Sequence, residues 1–555
     1  MKTRILLIVM LAFVGLSNLL IAQTPNWEWA RSGIGSGLDE GYTVATDASG
    51  NVLITGGFDS PTITFGAFTL INAGGYDIFI VKYDANGNVL WAKSAGGSSV
   101  DYGISVSTDA SGNILLTGYF YSPSITFDTF TLINAGVADM FIVKYDANGN
   151  VLWAKREGGT SYDYGLSVTA DVSGNILLTG WFSSPTITFG TFTLTNGGGE
   201  DIFIVKYNTS GTVLWAKKAG GTSDDVCMCI STDLNGNVLL TGNFQSSVIT
   251  FDTITLVNAG GGNPDIFIAK YNDIGNVLWA KSAGGTDYDN GYSIATDASG
   301  NVLVTGFFFS TAITFGTFTF TNAGGNNPDI FIVKYDTGGT VLWAKSAGGT
   351  SYDAGYCVAT DTSENLFVTG GFQSNFIIFD SDTLFYPGGD AMFIVKYSPS
   401  GTFLWATALA SGGDDKNSVA TDAFGNIFIG GDFAAPPFIV GSDTLQLAGT
   451  ENIFIAKIGF NNIETNIKEI KSQQNILLYP NPFTTQATLT FQGIKNENQK
   501  SLSVYNLLGQ EVQNIFVANA KEVIINRNNL PSGMYFYKLI DENKEVIGLG
   551  KMVAE

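Results

Sequence analysis

DANGNVLWAK occupies residues 84–93, and the same ten letters return at 146–155. Near-copies stand at 208–217 (NTSGTVLWAK), 272–281 (NDIGNVLWAK), 336–345 (DTGGTVLWAK) and 398–407 (SPSGTFLWAT). A phrase that returns at near-constant intervals marks one supersecondary unit repeated along a chain. Three residue series keep step with it. An Asp-x-x-x-Asn phrase begins at Asp47, Asp109, Asp171, Asp233, Asp297, Asp361 and Asp422, in steps of 62, 62, 62, 64, 64 and 61 residues. Tryptophans stand at Trp29, Trp91, Trp153, Trp215, Trp279, Trp343 and Trp405, and lysines at Lys82, Lys144, Lys206, Lys270, Lys334, Lys396 and Lys457. All three series give seven units.

Within a unit the pattern is strand throughout. In 101–155, ISVSTD and NILLTGYF read as two strands. SITFDTFTLIN reads as a hairpin, with Ile125, Phe127, Phe130 and Leu132 apolar around a two-residue Asp128-Thr129 turn. DMFIVKYD is the next strand, DANGN a turn and VLWAK the last strand, and nothing carries a helical period. The ends are complementary. The final unit stops at NIFIAKIGF (452–460) without an LWAK strand, while the chain opens with NWEWAR (26–31), an orphan copy of that strand. Pairing of 27–31 with 452–458 would close a ring and leave no large open edge. The expected fold is therefore all-β: a seven-bladed β-propeller closed by an N-terminal strand, plus a small C-terminal β-sandwich.

The pattern D-x-x-G-N-x-x-x-T-G, then D-x-F-[IV]-x-K-Y, then G-x-x-x-W-A resembles the SBBP repeats, a family associated with β-propellers, over about residues 26–458. The resemblance implies a fold and almost nothing about activity. The repeated residues read as structural. Asp84, Asn86 and Gly87 form a turn, and Trp91 and its copies pack between neighbouring sheets. DANGN looks like the start of a calcium loop, but its Gly comes too early and no Glu follows in place.

Composition narrows the function. The first 22 residues read as a signal peptide: Lys2 and Arg4, an apolar run, then Ala22. Without them 25 basic residues face 49 acidic ones, which argues against nucleic acid or anionic lipid as partner, and no transmembrane anchor is expected after cleavage. With no histidine in the chain, Ser-His-Asp machinery and His-bound zinc are excluded. Cys229 and Cys357 stand where other units have Thr43, Ser105, Ser167, Ser293 and Ser418, so they read as small packed residues, and Cys227 lies two residues from Cys229, a poor disulfide spacing.

Carboxylates remain. Asp39, Asp101, Asp163, Asp225, Asp289, Asp353 and Asp414 each stand eight residues before the repeated Asp. If the first strand of each unit lines a central channel, these seven form a candidate metal ring at its mouth, with Ca2+ as the ion or a polyol as ligand. The competing reading has each Asp bond its own loop. A glycosidase needs two carboxylates in different environments. Near-identical units offer seven similar ones, so no catalytic pair is assigned, and asymmetry is noted in units six and seven, at Arg156-Glu157 and at Asp224-Asp225.

The tail differs. Residues 459–474 read as a polar linker, and 475–555 as a sandwich with alternation in ATLTF, LSVYN and YFYKL. Seven basic and seven acidic residues balance there, so the excess charge belongs to 23–458, with 16 basic and 40 acidic residues. Tyr479-Pro480-Asn481-Pro482, Asn506-Leu507-Leu508-Gly509, Gly533-Met534-Tyr535 and Lys551-Met552-Val553 appear in order. They resemble the type A C-terminal sorting domain of the type IX secretion system of Bacteroidota. The resemblance implies secretion machinery as partner through 475–555 and residence in the medium or on the outer-membrane surface of a Gram-negative cell. It carries over Tyr479, Pro480, Asn481, Pro482, Gly509, Gly533, Tyr535 and Lys551 as sorting-motif residues. The expected function is an exported, non-catalytic propeller that binds a glycan or protein or acts as a scaffold. The alternative is a carboxylate-dependent polysaccharide hydrolase or lyase.

Overall fold

A computed structural model describes residues 25–386, 390–410, 417–459, 476–491, 500–506, 511–517, 520–527, 530–540 and 546–555. The signal peptide, the linker beyond Gly459, Asp414 and Gly509 lie outside the described residues. Two compact units divide at 460/461. Every regular element among the described residues is a strand.

The first unit holds seven four-stranded antiparallel sheets and seven two-stranded hairpins, an all-β architecture of the β-propeller kind. The second repeat is typical: Asp101–Thr108, Ile114–Phe120, Asp139–Tyr145 and Val151–Glu157, in that order across the sheet. The hairpin Ser124–Phe127/Phe130–Ile133 turns in two residues, with Asp128 at φ 51°. Its inner face lies on the sheet, and the Phe127 ring sits 5.1 Å from Phe141. The same contact recurs from Phe65–Phe79 at 5.3 Å to Phe438–Phe454 at 4.9 Å, so each core is sealed between a sheet, its hairpin and the preceding repeat's sheet.

The terminal strand Asn26–Ser32 pairs with Asn452–Gly459, in a register that sets Asn26 against Gly459 and Ala30 against Ala456. Gly459, read above as the start of the linker, is thus the last residue of a ladder. The first strands of successive repeats lie side by side, joined by hydroxyls. Thr108 donates to the Thr46 carbonyl at 2.8 Å, Thr360 to Thr296 at 3.0 Å, and Thr46 to Thr421 at 2.8 Å.

The quoted phrase is a clasp. Trp91 Nε1 and Lys82 Nζ both donate to the Ala147 carbonyl of the next repeat's DANGN turn, at 3.4 and 3.1 Å. Gly149 of that turn (φ 84°) lies against the Trp91 ring, where a Cβ would come within 3.0 Å. Trp343 and Lys334 hold Pro399 alike, at 3.2 and 3.0 Å, and across the chain ends Trp29 and Lys457 hold Ala85, at 3.1 and 3.4 Å. In the first six repeats the lysine also meets the Asp-x-x-x-Asn aspartate, as in Lys144–Asp109 at 2.9 Å, whereas Lys457 meets Glu28. The Asp84 carboxylate accepts from the backbone of Asn86 and Asn88, a local turn bond.

In the second unit, a three-stranded and a four-stranded sheet enclose a core that includes Phe483, Leu489, Leu502 and Leu539.

Candidate functional site

The first strands do line a cavity, of about 340 Å3, to which all seven repeats contribute, from Thr43 through Ser105 and Ser167 to Ser418. The aspartates do not face it. Asp39, Asp101, Asp163, Asp225, Asp289 and Asp353 are fully buried. Each accepts from the hydroxyl of a serine 21 residues on, at 2.7 Å from Ser60 to Asp39 and 2.6 Å from Ser122 to Asp101. Glycine backbone also donates, as Gly97 does to Asp101 at 2.9 Å. A β-bulge explains the turn away from the channel. In six first strands the register shifts after the third residue, for example between Gly103 and Ser105. The extra residue reverses the alternation, so Ser105 faces the cavity and Asp101 the loop. No group of three or more Cys, Asp or Glu residues suited to a metal occurs among the described residues.

Burial pushes these carboxyls up against the bonds from serine, to about 6 in Asp39, Asp225 and Asp353 and about 7 in Asp289. The folded state therefore keeps protons that the unfolded chain has released above its ordinary carboxylate range. Stability from this source is complete at acid pH and falls as pH rises through 6–7. The Tm of the full chain is expected to be several degrees lower at pH 8 than at pH 5.5. A rising or flat Tm across that interval would refute the assignment, and Asp289→Asn should flatten the slope.

The positions that differ most between repeats lie beside the cavities, where Tyr119 and Tyr164 line the central one and Val226, Asn243, Asn290 and Phe307 a second. DIFIVKY is identical at 77–83, 201–207 and 329–335. The position after each buried Asp, by contrast, is Glu40, Tyr102, Tyr164, Val226, Asn290 or Ala354. Its cross-strand partners are Gly57, Tyr119, Trp181, Asn243, Phe307 and Gly371. In repeats two and three these build an aromatic wall. Tyr119 stacks on Tyr164 at 3.8 Å and 6°, Tyr164 meets Trp181 at 4.2 Å, and the Tyr121 and Tyr164 hydroxyls share a hydrogen bond.

Opposite lies a recess of about 480 Å3 over repeats four to six, lined among others by Asp224, Asn243, Gln245, Tyr288, Phe307 and Tyr352. It adjoins the central cavity through Met228 and Tyr292, which line both. Among the described residues no lysine or arginine lines either cavity. Asn243 donates to Asn290 at 2.9 Å, and Gln245 to the Gly262 carbonyl at 2.8 Å. At the rim, Glu200 NH donates to the Asp224 carboxylate at 3.1 Å, and burial, then the nearby Asp224 charge, push the Glu200 carboxyl to about 7. Sequence reasoning singled out Asp224 but passed over the aromatic and amide positions. Their signal was divergence between copies otherwise nearly identical.

The three cysteines are free, and burial pushes the Cys227 thiol up to about 12, as for an inert packed thiol. In the second unit, Asn481 accepts from Val553 NH at 2.8 Å and donates to the Lys551 carbonyl at 3.3 Å. Gly533 pairs with Ala554 and Tyr535 with Met552. Three of the sorting motifs are thereby joined. Tyr479, Pro480, Pro482, Gly533 and Lys551 are exposed, while Tyr535 is buried with its hydroxyl on the Pro531 carbonyl.

Residues 477–554 match the family model described as the secretion system C-terminal sorting domain. Such a tail marks a chain exported by the type IX machinery of Bacteroidota and then released or attached at the cell surface. No helix among the described residues is long and apolar enough to cross a membrane. An uncharacterized WD repeat-containing protein of Acanthamoeba polyphaga mimivirus is 24% identical over 477 residues, covering 70% of this chain and 34% of the relative. The regulatory protein FlaEY of Caulobacter vibrioides is 25% identical over 243 residues, covering 39% and 25%. The chain thus spans about a third and a quarter of these relatives. Among solved structures, the extracellular domain of a putative one component system from B. thetaiotaomicron aligns over 94% of this chain and 99% of its own, at 11% identity and TM-score 0.15. A glycoside hydrolase family 32 protein from Bifidobacterium adolescentis aligns over 95% of each chain, at 8% identity and TM-score 0.24.

Proposed function

We propose that the chain is an exported, non-catalytic binding or scaffold protein. In this reading a signal peptide (1–22) precedes a seven-bladed SBBP-type propeller (23–458) closed by its N-terminal strand. A linker (459–474) then leads to a sorting domain (475–555). The observation that carries it is the partition of sequence variation: copies agree where they build sheets and clasps, and diverge where they meet at the channel mouth. Uniform scaffolds with one diversified face are built to present that face. Pairing of 26–32 with 452–459 supports closure.

The reading is tested in a Bacteroidota host with intact type IX secretion. Deleting 475–555 is expected to strand the chain in the periplasm; unchanged export would refute delivery by the tail. The exported full chain is expected to release no reducing ends from neutral or acidic polysaccharides. One observation favours the hydrolytic alternative, namely Glu200, whose carboxyl is pushed up to about 7 by burial and the neighbouring Asp224. Turnover abolished by Glu200→Gln would establish that alternative instead.

A further inference from the structure

We propose that the recess over repeats four to six is a subsite for a neutral polysaccharide, a run of uncharged pyranose rings. This rests on the binding reading above and narrows it to a ligand class. Charge comes first. Among the described residues the wall of the recess holds one carboxylate, Asp224, and no cation, on a portion of the chain with 40 acidic and 16 basic residues. Uronate-, sulfate- or phosphate-bearing chains are repelled from such a surface. The second feature is the aromatic lining. Tyr288 and Tyr352 stand on either side of Phe307, with centroids 5.5 and 6.0 Å from it. Pyranose rings present C–H faces that settle on aromatic faces, whose quadrupole is negative.

The third feature is the polar complement. Asn243, Gln245 and Asn290 are amides, which donate and accept at once, as sugar hydroxyls do. Their mutual and backbone bonds hold them in place beforehand, which lowers the ordering cost of binding. A cationic peptide would also be drawn to Asp224, but a site made for cations would set several carboxylates among the rings. Here three neutral amides, Gln245 partly exposed over the buried Asn243–Asn290 pair, accompany one exposed carboxylate. The volume, about 480 Å3, falls within the range of small-ligand sites.

The test is titration calorimetry of the exported full chain with neutral gluco-, manno- and xylo-hexasaccharides, with polygalacturonate and hexalysine as charged probes. Tyr288→Val and Tyr352→Val are the site variants, because the second repeat already carries Val100 at the equivalent position. Phe376→Ala, an exposed aromatic outside both cavities, is the control. Expected is saturable binding of at least one neutral hexasaccharide that EDTA does not disturb. Either site variant should weaken it about tenfold at unchanged Tm, and the control should not. Binding indifferent to both site variants would overturn the subsite. Preference for hexalysine or polygalacturonate, lost in the same variants, would overturn the ligand class and leave the binding function standing. Binding of no probe, with export intact, would overturn the ligand class and count against a binding function for this face.

Discussion

Excising residues 26–32 from the exported chain is expected to lower its Tm by tens of degrees or to abolish cooperative unfolding, as followed by circular dichroism. The strand Asn452–Gly459 is buried along its whole length, and excision would turn it into an open edge. Trp29 and Ala30 would leave the core, and Trp29 alone is a buried tryptophan of the kind whose loss costs about 3–5 kcal/mol. The Ala30 NH bond to Asp443 at 2.7 Å, the Lys457–Glu28 ion pair at 2.8 Å and the Trp29 clasp on Ala85 would go with them. The loss is one of topology rather than of composition, so it should be reversible. Asn26 lies opposite Gly459, where every other repeat has a short turn. A chain carrying DANGN followed by 26–32 after Gly459, with the same strand removed from its start, should regain the original Tm. An unchanged Tm after excision would show that the first unit does not depend on its terminal strand.

Lys270→Met should cost about 3–5 kcal/mol in urea unfolding of the full chain, the scale for breaking a buried ion pair on one side. Lys270 and Asp233 are 3.0 Å apart with almost no exposure. Burial raises the Asp233 pKa, yet bonds from Asn237 and Lys270 outweigh it and hold the carboxyl below its usual range. The methionine would leave that charge buried with Asn237 and backbone only. Lys270→Met/Asp233→Asn should recover much of the loss, since an amide keeps turn bonds without a charge to strand. A single variant as stable as the parent would mean the lysine serves only as a spacer.

Much of this architecture could be read directly. Short apolar runs in NILLTGYF and DMFIVKYD, bounded by turn residues, located strands at Ile114–Phe120 and Asp139–Tyr145, and the Phe127/Phe130 hairpin turns where its two-residue Asp-Thr sequence indicates. The orphan NWEWAR identified its own partner strand. The aspartates before each first strand were harder. Counting in twos puts Asp101 and Ser105 on one face, and the bulge between them separates their fates. A bulge of this kind leaves little mark beyond a glycine, here Gly103, that glycine-rich sequence hides. Aspartate eight residues before the repeat was conspicuous because it never varied, and the six described copies each accept from a serine 21 residues on. Tyr164, Trp181 and Asn290 were inconspicuous because they broke the pattern, and they reach the mouth.

The tryptophan–lysine clasp on the neighbouring turn has an evolutionary corollary. Junctions from Trp29 on Ala85 to Trp343 on Pro399 use the same parts, so one repeat can be exchanged for another without redesigning its neighbours. Unequal crossing-over between gene segments encoding DANGNVLWAK would shuffle whole repeats in frame, carrying each set of mouth residues intact. Selection for a new ligand could then work by reordering ready-made wall segments around a channel whose walls already fit together.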